Sequence, residues 1–230
     1  RSARALPMRW VAEIAGWATG IWLLLVVLVL GVSIFGPPLE QWLRHQPFHE
    51  DLWKDDVARH RMVDDLLELG VHHAGINLML NGLLSPAKEA KPGQPTATAD
   101  GFTFVINEAY VKSLDRQIKA LSDKGVVVTA ILITYRSPNE RVRTLTVHPQ
   151  ADAVKGTTMA ANTVTPEGRA CYKALTDFIA RRWCSSDTSH GRLWGWVISN
   201  EVNSHHEWHQ MGPVTAEQVA AQYEEQVRLA

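Results

Sequence analysis

Amphipathic stretches alternate with short apolar runs along most of the chain. Four stretches place apolar side chains every three or four residues, the spacing of one helix face, and they begin near residues 51, 107, 165 and 215. Between them lie three apolar runs, VHHAGINLML, VVVTAILI and RLWGWVIS, which do not alternate strictly. Such runs suit parallel strands that are buried on both faces. The alternation of helices and strands therefore predicts an α/β fold.

Residues that start and stop helices support these boundaries. Three of the helices follow a residue whose side chain can cap the first turn: Asn107, Thr165 and Thr215. Gly70 and Gly125 follow the first two helices, where glycine can adopt the left-handed conformation that ends a helix. The sequence thus predicts tight joints between these helices and the strands after them.

The joints that lead from strand to helix are much longer than those from helix to strand. They run roughly over residues 81–107, 134–165 and 200–214. Long loops at the carboxyl ends of parallel strands are typical of a (β/α)₈ TIM barrel. A full barrel needs about 250 residues, so we predict that residues 51–230 form its N-terminal half and that further strands follow Ala230. No G-x-G-x-x-G motif follows a strand, which disfavours a nucleotide-binding sheet.

The first 50 residues form a chemically different region. Residues 14–35 contain no charged side chain, and as a helix they would span about 33 Å, enough to cross a bilayer. Three arginines precede this run, which predicts a cytoplasmic tail (1–13), a transmembrane signal anchor (14–35), a linker (36–50) and an extracytoplasmic remainder. A cleaved signal peptide and a buried core helix are the alternatives.

Charge and cysteine content argue against a nucleic-acid-binding protein and against a disulfide framework. The formal net charge of −1 lacks the basic excess of a nucleic-acid-binding protein. The two cysteines, Cys171 and Cys184, would lie roughly 20 Å apart on one helix, too far for a disulfide. No pattern in the chain requires a cofactor.

Asn200 and Glu201 carry the clearest chemical signal, because they directly follow the apolar run LWGWVIS. A carboxylate at the carboxyl end of a parallel strand would face the barrel mouth. Partial burial there would raise its pKa towards that of a general acid. Asn200 could donate a hydrogen bond to a substrate hydroxyl. The pair therefore suggests proton transfer to a hydroxylated substrate.

This stretch, together with the preceding ACYKALTDFIARRW, resembles the acid/base signature of the clan-A glycoside hydrolases, in which an Asn-Glu pair ends the fourth barrel strand. The resemblance implies that Glu201 protonates the leaving oxygen and later activates water, and that Asn200 contacts the 2-hydroxyl of the sugar. A retaining mechanism needs a second carboxylate about 5–5.5 Å away. In that clan it comes from the seventh strand, which we expect beyond residue 230, so residues 1–230 alone are expected to be inactive.

The chain is also similar to a bacterial domain-of-unknown-function family with a glycosidase-type TIM barrel. The similarity covers roughly residues 50–230 and rests on LGVHHAGINLML, AANTVTPEG and WGWVISNEVNSHHEWHQMG. It implies the same barrel and leaves the substrate open.

Further side chains on the loops and strands are candidates for sugar contacts. We predict such contacts from polar and aromatic residues near the strand ends: Asn77, Tyr135, Arg136, Asn200, Asn203, His205, His206 and Trp208. Trp208 would stack on a sugar ring, with structural packing as the alternative. Asn81 and Asn162 are further loop candidates. For His72 and His73, burial in the core is favoured over substrate contact.

The histidine-rich run also raises the question of a metal. His205 and His209 have the i, i+4 spacing that binds zinc on a helix. Gly212 and Pro213 follow closely, however, so the segment is predicted to be a loop, and no metal site is predicted.

These patterns predict a glycoside hydrolase-like protein that cleaves an envelope or extracellular glycan by carboxylate acid/base catalysis. Its expected partners are the carbohydrate and, through residues 14–35, the membrane, with no nucleic acid and no cofactor. A non-catalytic carbohydrate-binding or scaffold barrel at the cell surface is the alternative, and a metal-dependent hydrolase is the third.

Overall fold

The computed structural model describes residues 56–152 and 154–230. This part contains six helices: α1 (Asp56–Glu68), α2 (Leu80–Leu83), α3 (Glu108–Ser122), α4 (Glu140–Thr146), α5 (Pro166–Trp183) and α6 (Ala216–Leu229). It also contains six strands: β1 (His73–Met79), β2 (Thr96–Ala99), β3 (Phe102–Val105), β4 (Val127–Tyr135), β5 (Thr158–Met159) and β6 (Gly195–Ile198). The three predicted strands, now β1, β4 and β6, and the four predicted helices are confirmed.

The predicted helix boundaries are confirmed by their hydrogen bonds. Each N-cap side chain accepts a bond from a backbone N–H in the first turn of its helix, namely those of Asn107 at α3, Thr165 at α5 and Thr215 at α6. Gly70 and Gly125 have φ angles of 75° and 80°. In this left-handed region glycine avoids the steric cost that a Cβ atom would add.

The central strand of the main sheet is β4, which pairs in parallel with both β1 and β6. Thr129 lies opposite Gly75 on one side and Gly195 on the other. Near the carboxyl end of β4, Tyr135 lies opposite Thr158 of the short antiparallel strand β5. The carboxyl ends of β1, β4 and β6 therefore meet at one edge of the sheet.

One face of this sheet is covered and the other is open. Val128, Ala130 and Leu132 of β4 are buried in a core that contains apolar side chains of α3 and α5. On the opposite face, Asn77 and Val197 are exposed. The sheet thus has the alternating burial of a half-covered sheet rather than the two buried faces that the apolar runs predicted.

A polar network joins two of the covering helices. Asp115 on α3 accepts hydrogen bonds from Arg182 at 2.8 and 2.6 Å and from the indole N–H of Trp183 at 3.0 Å, near the end of α5. Trp183 is fully buried, so its N–H needs such a partner. Asp115 therefore fixes the C-terminal end of α5 against α3.

The predicted partial (β/α)₈ TIM barrel is wrong. Among the described residues, β1 and β6 each pair only with β4, so the parallel sheet remains open. Part of the joint over residues 81–107, which was expected to be a long loop, instead forms a separate antiparallel hairpin of β2 and β3. Asp100 and Gly101 turn this hairpin with φ angles of 48° and 82°. The described part of the chain is a mixed α/β fold.

The predicted tail, transmembrane anchor and linker, residues 1–13, 14–35 and 36–50, lie outside the described residues. Within residues 56–152 and 154–230, no helix combines the length and the apolar character needed to span a bilayer. Val63–Ala230 forms one compact unit. Its cysteines, Cys171 and Cys184, are both free, as predicted.

Candidate functional site

Polar side chains join the strands at the carboxyl edge of the sheet. The side-chain oxygen of Asn81 accepts a hydrogen bond from the Tyr135 N–H at 3.0 Å, which links the ends of β1 and β4. The Ser199 N–H donates to the Leu132 carbonyl at 2.9 Å, which holds the end of β6 beside β4. Asn81 is therefore a structural link here. The loop that leaves β6 begins from a fixed point.

Glu201 lies on this loop with its side chain exposed to solvent. Within the described residues, its carboxylate takes part in no hydrogen bond or ion pair, although its carbonyl accepts a bond from the Ser204 N–H at 2.8 Å. The partial burial expected for this carboxylate is not observed. The φ angles of Ser199 and Glu201 are 63° and 46°, a region that residues other than glycine rarely adopt.

The other predicted residues of this loop lie close to Glu201 in sequence and form turns rather than a helix. Their side chains are exposed or half-buried: Asn200, Asn203, His205, His206 and Trp208. The rings of His205 and His206 have centroids 3.9 Å apart and are tilted by 42°. Trp208 keeps 38% of its surface exposed, enough for a ligand to contact its ring. In the part of the chain that is described, no group of three or more His, Cys, Asp or Glu side chains could hold a metal ion.

A buried pair beneath this loop was not predicted. The Ser199 hydroxyl oxygen lies 2.7 Å from Nδ1 of His209, which has no exposed surface. The His209 ring packs edge-on against Tyr223, and the Tyr223 hydroxyl donates to the Ile198 carbonyl at 2.9 Å. Burial lowers the pKa of His209 to about 4, and His148 and His205 add to this effect. His209 is therefore neutral and supports the loop from within.

Two other carboxylates, Glu207 on the same loop and Asp152 on the neighbouring loop, are already engaged. Glu207 accepts a hydrogen bond from the Thr157 hydroxyl at 2.6 Å. Asp152 accepts bonds from the backbone N–H groups of Val154 and Lys155 at 2.8 and 3.1 Å, and these bonds hold its carboxyl pKa below the usual value. Glu201 differs from both, because its carboxylate is open to a ligand.

The loop after β6 is hydrogen-bonded to the loop before β5. The Gln210 side-chain oxygen accepts bonds from the Asp152 N–H at 2.8 Å and from the Gly212 N–H at 2.9 Å. The Glu207 carbonyl accepts a bond from the Thr157 N–H at 2.8 Å. The two loops therefore form one connected structure at the edge of the sheet.

A cleft of about 290 Å³ opens beside these loops and is lined in part by Arg136, Arg143, His148 and Asp152. Of the predicted contact residues, only Arg136 lines it, while Tyr135 is half-buried at the end of β4. Burial lowers the pKa of His148. The cleft has two permanently charged arginines and one carboxylate on its walls, which gives it a positive balance.

Asn162, a predicted loop candidate, also lines the cleft but has a structural role. Its amide nitrogen donates to the Thr144 carbonyl at 2.8 Å and to the Thr165 hydroxyl at 2.9 Å, and its oxygen accepts bonds from the Val164 and Thr165 N–H groups. A nearly fully buried amide with this many bonds has little capacity left for a ligand.

The candidate residues in and next to β1 lie away from the loop after β6. Asn77 is exposed on the open face of the sheet, opposite Ile131, and not among the loops after β6. The predicted burial of His72 and His73 is wrong, because both are exposed. The open sheet face explains the exposure of His73, which shares that face with Asn77, while His72 lies before the start of β1.

No curated protein matches the chain, and no solved structure does. Residues 54–230 match the model of a family of unknown function, DUF5722.

Proposed function

Since the chain belongs to DUF5722, a family of unknown function, we propose a function from its own residues: the carboxyl edge of its parallel sheet binds a glycan, and Glu201 transfers protons during glycosidic bond cleavage. One observation carries this proposal. Glu201 follows the third parallel strand with an exposed carboxylate, whereas Glu207 on the same loop and Asp152 on the adjoining loop are engaged in hydrogen bonds.

The loop backbone supports this assignment. Ser199 and Glu201 both have positive φ angles, a conformation that costs about 1–3 kcal/mol for each residue and persists only when the surrounding structure holds it. Asp100 also has a positive φ angle, but it lies in a two-residue hairpin turn that requires this conformation. No hairpin requires it at positions 199 and 201. Strain of this kind is concentrated at functional sites.

In the proposed reaction, the carboxyl group of Glu201 donates a proton to the glycosidic oxygen as the bond to the sugar carbon breaks. The resulting carboxylate then takes a proton from the attacking water, which returns Glu201 to its starting state. Neighbouring side chains would orient the sugar. Trp208 would stack on its ring, while Asn200 and His206 would hydrogen-bond its hydroxyl groups.

A second function, glycan binding without cleavage, is favoured by a separate observation. Acid/base cleavage of a glycoside uses two carboxylates. The carboxylates of Glu207, on the same loop as Glu201, and of Asp152, on the adjoining loop, are both bonded within the described part of the chain. A face that binds a glycan without cleaving it would need only the exposed polar and aromatic side chains. The location of the protein outside the cytoplasm stays a prediction, and so does an envelope or extracellular glycan as its ligand.

The Glu201→Gln variant tests catalysis in the full-length protein. Reducing ends released from a panel of plant, fungal and bacterial polysaccharides would be measured, together with binding to the same polysaccharides. Gln keeps the size and a hydrogen-bonding capacity but cannot transfer the proton. We therefore expect a loss of roughly 10²–10⁴-fold in the cleavage rate, with binding retained.

Glu207→Gln is the matched control, because it makes the same change on the same loop. Its side-chain oxygen can still accept the Thr157 hydroxyl, so we expect the cleavage rate to stay within about twofold of the wild type. Undiminished cleavage by Glu201→Gln would remove Glu201 from the mechanism. Polysaccharide binding by the wild type with no reducing ends released would leave the binding function alone.

A further inference from the structure

Two arginines on the 290 Å³ cleft are held in place by the chain's own carbonyl groups. Nη2 of Arg136 donates to the Lys155 carbonyl at 2.7 Å and to the Gly156 carbonyl at 3.3 Å. Nη1 of Arg143 donates to the Ser137 carbonyl at 3.2 Å. These bonds fix both guanidinium groups without neutralising their charge.

Neither arginine forms an ion pair with a carboxylate in the described part of the chain. The nitrogens Nε and Nη1 of Arg136, and Nε and Nη2 of Arg143, have no partner among those residues. A guanidinium group has five N–H donors in a planar fork that matches an oxyanion. Arg143 can therefore offer its Nε and Nη2 fork to a ligand in the cleft, whereas Arg136, whose Nη2 is engaged, can offer single N–H donors from Nε and Nη1.

The walls of the cleft compensate only part of this charge. Asp152 is the one carboxylate among the lining residues; it interacts with the charge of Arg136 and also accepts two backbone N–H groups. His148 is buried, and burial lowers its pKa, which favours the neutral ring. With two arginines and one carboxylate, the lining residues keep a positive balance that favours an anion in the cleft.

A second groove, of about 450 Å³, shows what a compensated arginine pair looks like. It lies between the β2–β3 hairpin and α5 and is lined by Arg181 and Arg182 among others. Arg181 forms an ion pair with Asp177, and Arg182 forms one with Asp115. The arginines of this groove are neutralised by their own neighbours and have no comparable demand for an anion.

We propose that the cleft formed by Arg136 and Arg143 binds the anionic group of an acidic sugar residue, such as the carboxylate of a uronic acid. The inference rests on the proposed function, because the cleft adjoins the loop that carries Glu201, and it names the substrate class. The volume of the cleft, about 290 Å³, lies just below the 300–1,000 Å³ that is typical of ligand pockets. It therefore suits one charged sugar residue rather than a long oligosaccharide.

Glucuronate and glucose form a matched pair of probes, because they differ only in the group on the sixth carbon. Binding to the full-length protein would be measured by calorimetry at low and at physiological salt. We expect glucuronate to bind at least tenfold more tightly than glucose, and salt to weaken the binding, since the attraction is electrostatic. Inorganic phosphate is the third probe, and it separates a sugar site from a site for a free anion.

Arg143→Gln removes one charge, and we expect it to weaken glucuronate binding at least tenfold, while Arg143→Lys retains more of the affinity than Gln. Arg136→Gln should have a similar effect. Arg181→Gln is the matched control in the second groove, and we expect a change of less than twofold. Thermal unfolding of each variant verifies that the fold is intact.

Equal affinity for glucose and glucuronate, or unchanged glucuronate binding in both Gln variants of the cleft, would overturn the inference. Arginine-dependent binding of phosphate without binding of glucuronate would overturn it as well, because the cleft would then be a free-anion site. These results are separable from those for catalysis. If Glu201→Gln abolishes cleavage but the protein shows no preference for charged sugars, only the acidic-sugar inference is contradicted. If the protein binds charged sugars through the arginines but cleaves none, only the catalytic function is contradicted.

Discussion

The hydroxyl oxygen of Ser199 lies 2.7 Å from Nδ1 of His209, and both side chains are buried. Ser199 directly follows β6, and His209 lies near the end of the turns that carry Glu201. This bond therefore closes the loop onto the strand from which it leaves. It also helps to hold Ser199 at its φ angle of 63°. The exposed carboxylate of Glu201 is thus carried by a loop with a fixed base.

Ser199→Ala tests how much this bond contributes to stability. Alanine keeps the Cβ atom and the backbone strain but removes the hydroxyl, so Nδ1 of His209 is left buried without a partner. We expect the free energy of unfolding to fall by about 1–3 kcal/mol. Urea unfolding followed by tryptophan fluorescence would measure the change.

Ser186→Ala is the control, because Ser186 is exposed in the loop after α5. We expect its effect to stay within about 0.5 kcal/mol. Equal losses in the two variants would show that the Ser199–His209 bond contributes nothing specific to the loop.

The buried His209 also predicts how stability depends on pH. Its pKa is lowered from 6.5 to about 4, first by burial and then by His148 and His205. Between these two values the unfolded chain binds a proton that the folded chain does not. The stabilisation is therefore complete above pH 6.5 and is lost as the pH falls towards 4. For one such group the slope approaches about 1.4 kcal/mol per pH unit.

Urea unfolding at pH 7.5, 6.5 and 5.5 checks this expectation. The free energy of unfolding should decrease from pH 6.5 to 5.5, and His148 contributes in the same direction because burial lowers its pKa. The decrease should be smaller in His209→Gln, which has no proton to gain at this position. A wild-type stability that stays constant from pH 7.5 to 5.5 would contradict the assignment of His209 as a neutral buried side chain.

Local signals explain which parts of the fold could be predicted. A cap such as Asn107 acts on the turn that follows it, and a glycine such as Gly125 acts on the residues next to it, so the sequence alone determines these ends. The short helix α4 had a similar signal, since the Asn139 side chain accepts a bond from the Val142 N–H at 3.0 Å. The turn at Asp100 and Gly101 was also readable as a hairpin.

The barrel prediction failed because sheet closure depends on pairings between distant residues. The apolar run of β1 does not encode which strands lie on either side of it, and here only β4 does. The candidate site was only partly predictable, because some of its contacts also join residues that are distant in sequence. Glu201 and Arg136 follow strands and were found by position, whereas the contact of Ser199 with His209 and the placing of Arg143 on the cleft depend on how the loops fold back.

Gly212, at the end of the loop after β6, provides a test of how tightly that loop is packed. Its φ angle is 85°, and a Cβ atom there would overlap the carbonyl oxygen of Gln150. Gly212→Ala therefore combines left-handed strain of about 1–2 kcal/mol with a displacement of the neighbouring loop, and we expect a total loss of more than about 2 kcal/mol in the free energy of unfolding.

Gly93 is the matched control, because its φ angle is 79° and no atom lies within 4 Å of the added Cβ. Gly93→Ala should show the strain alone, about 1–2 kcal/mol. Urea unfolding of both variants compares the two losses directly, and equal losses would mean that the Gln150 backbone yields easily and does not hold the loop in place.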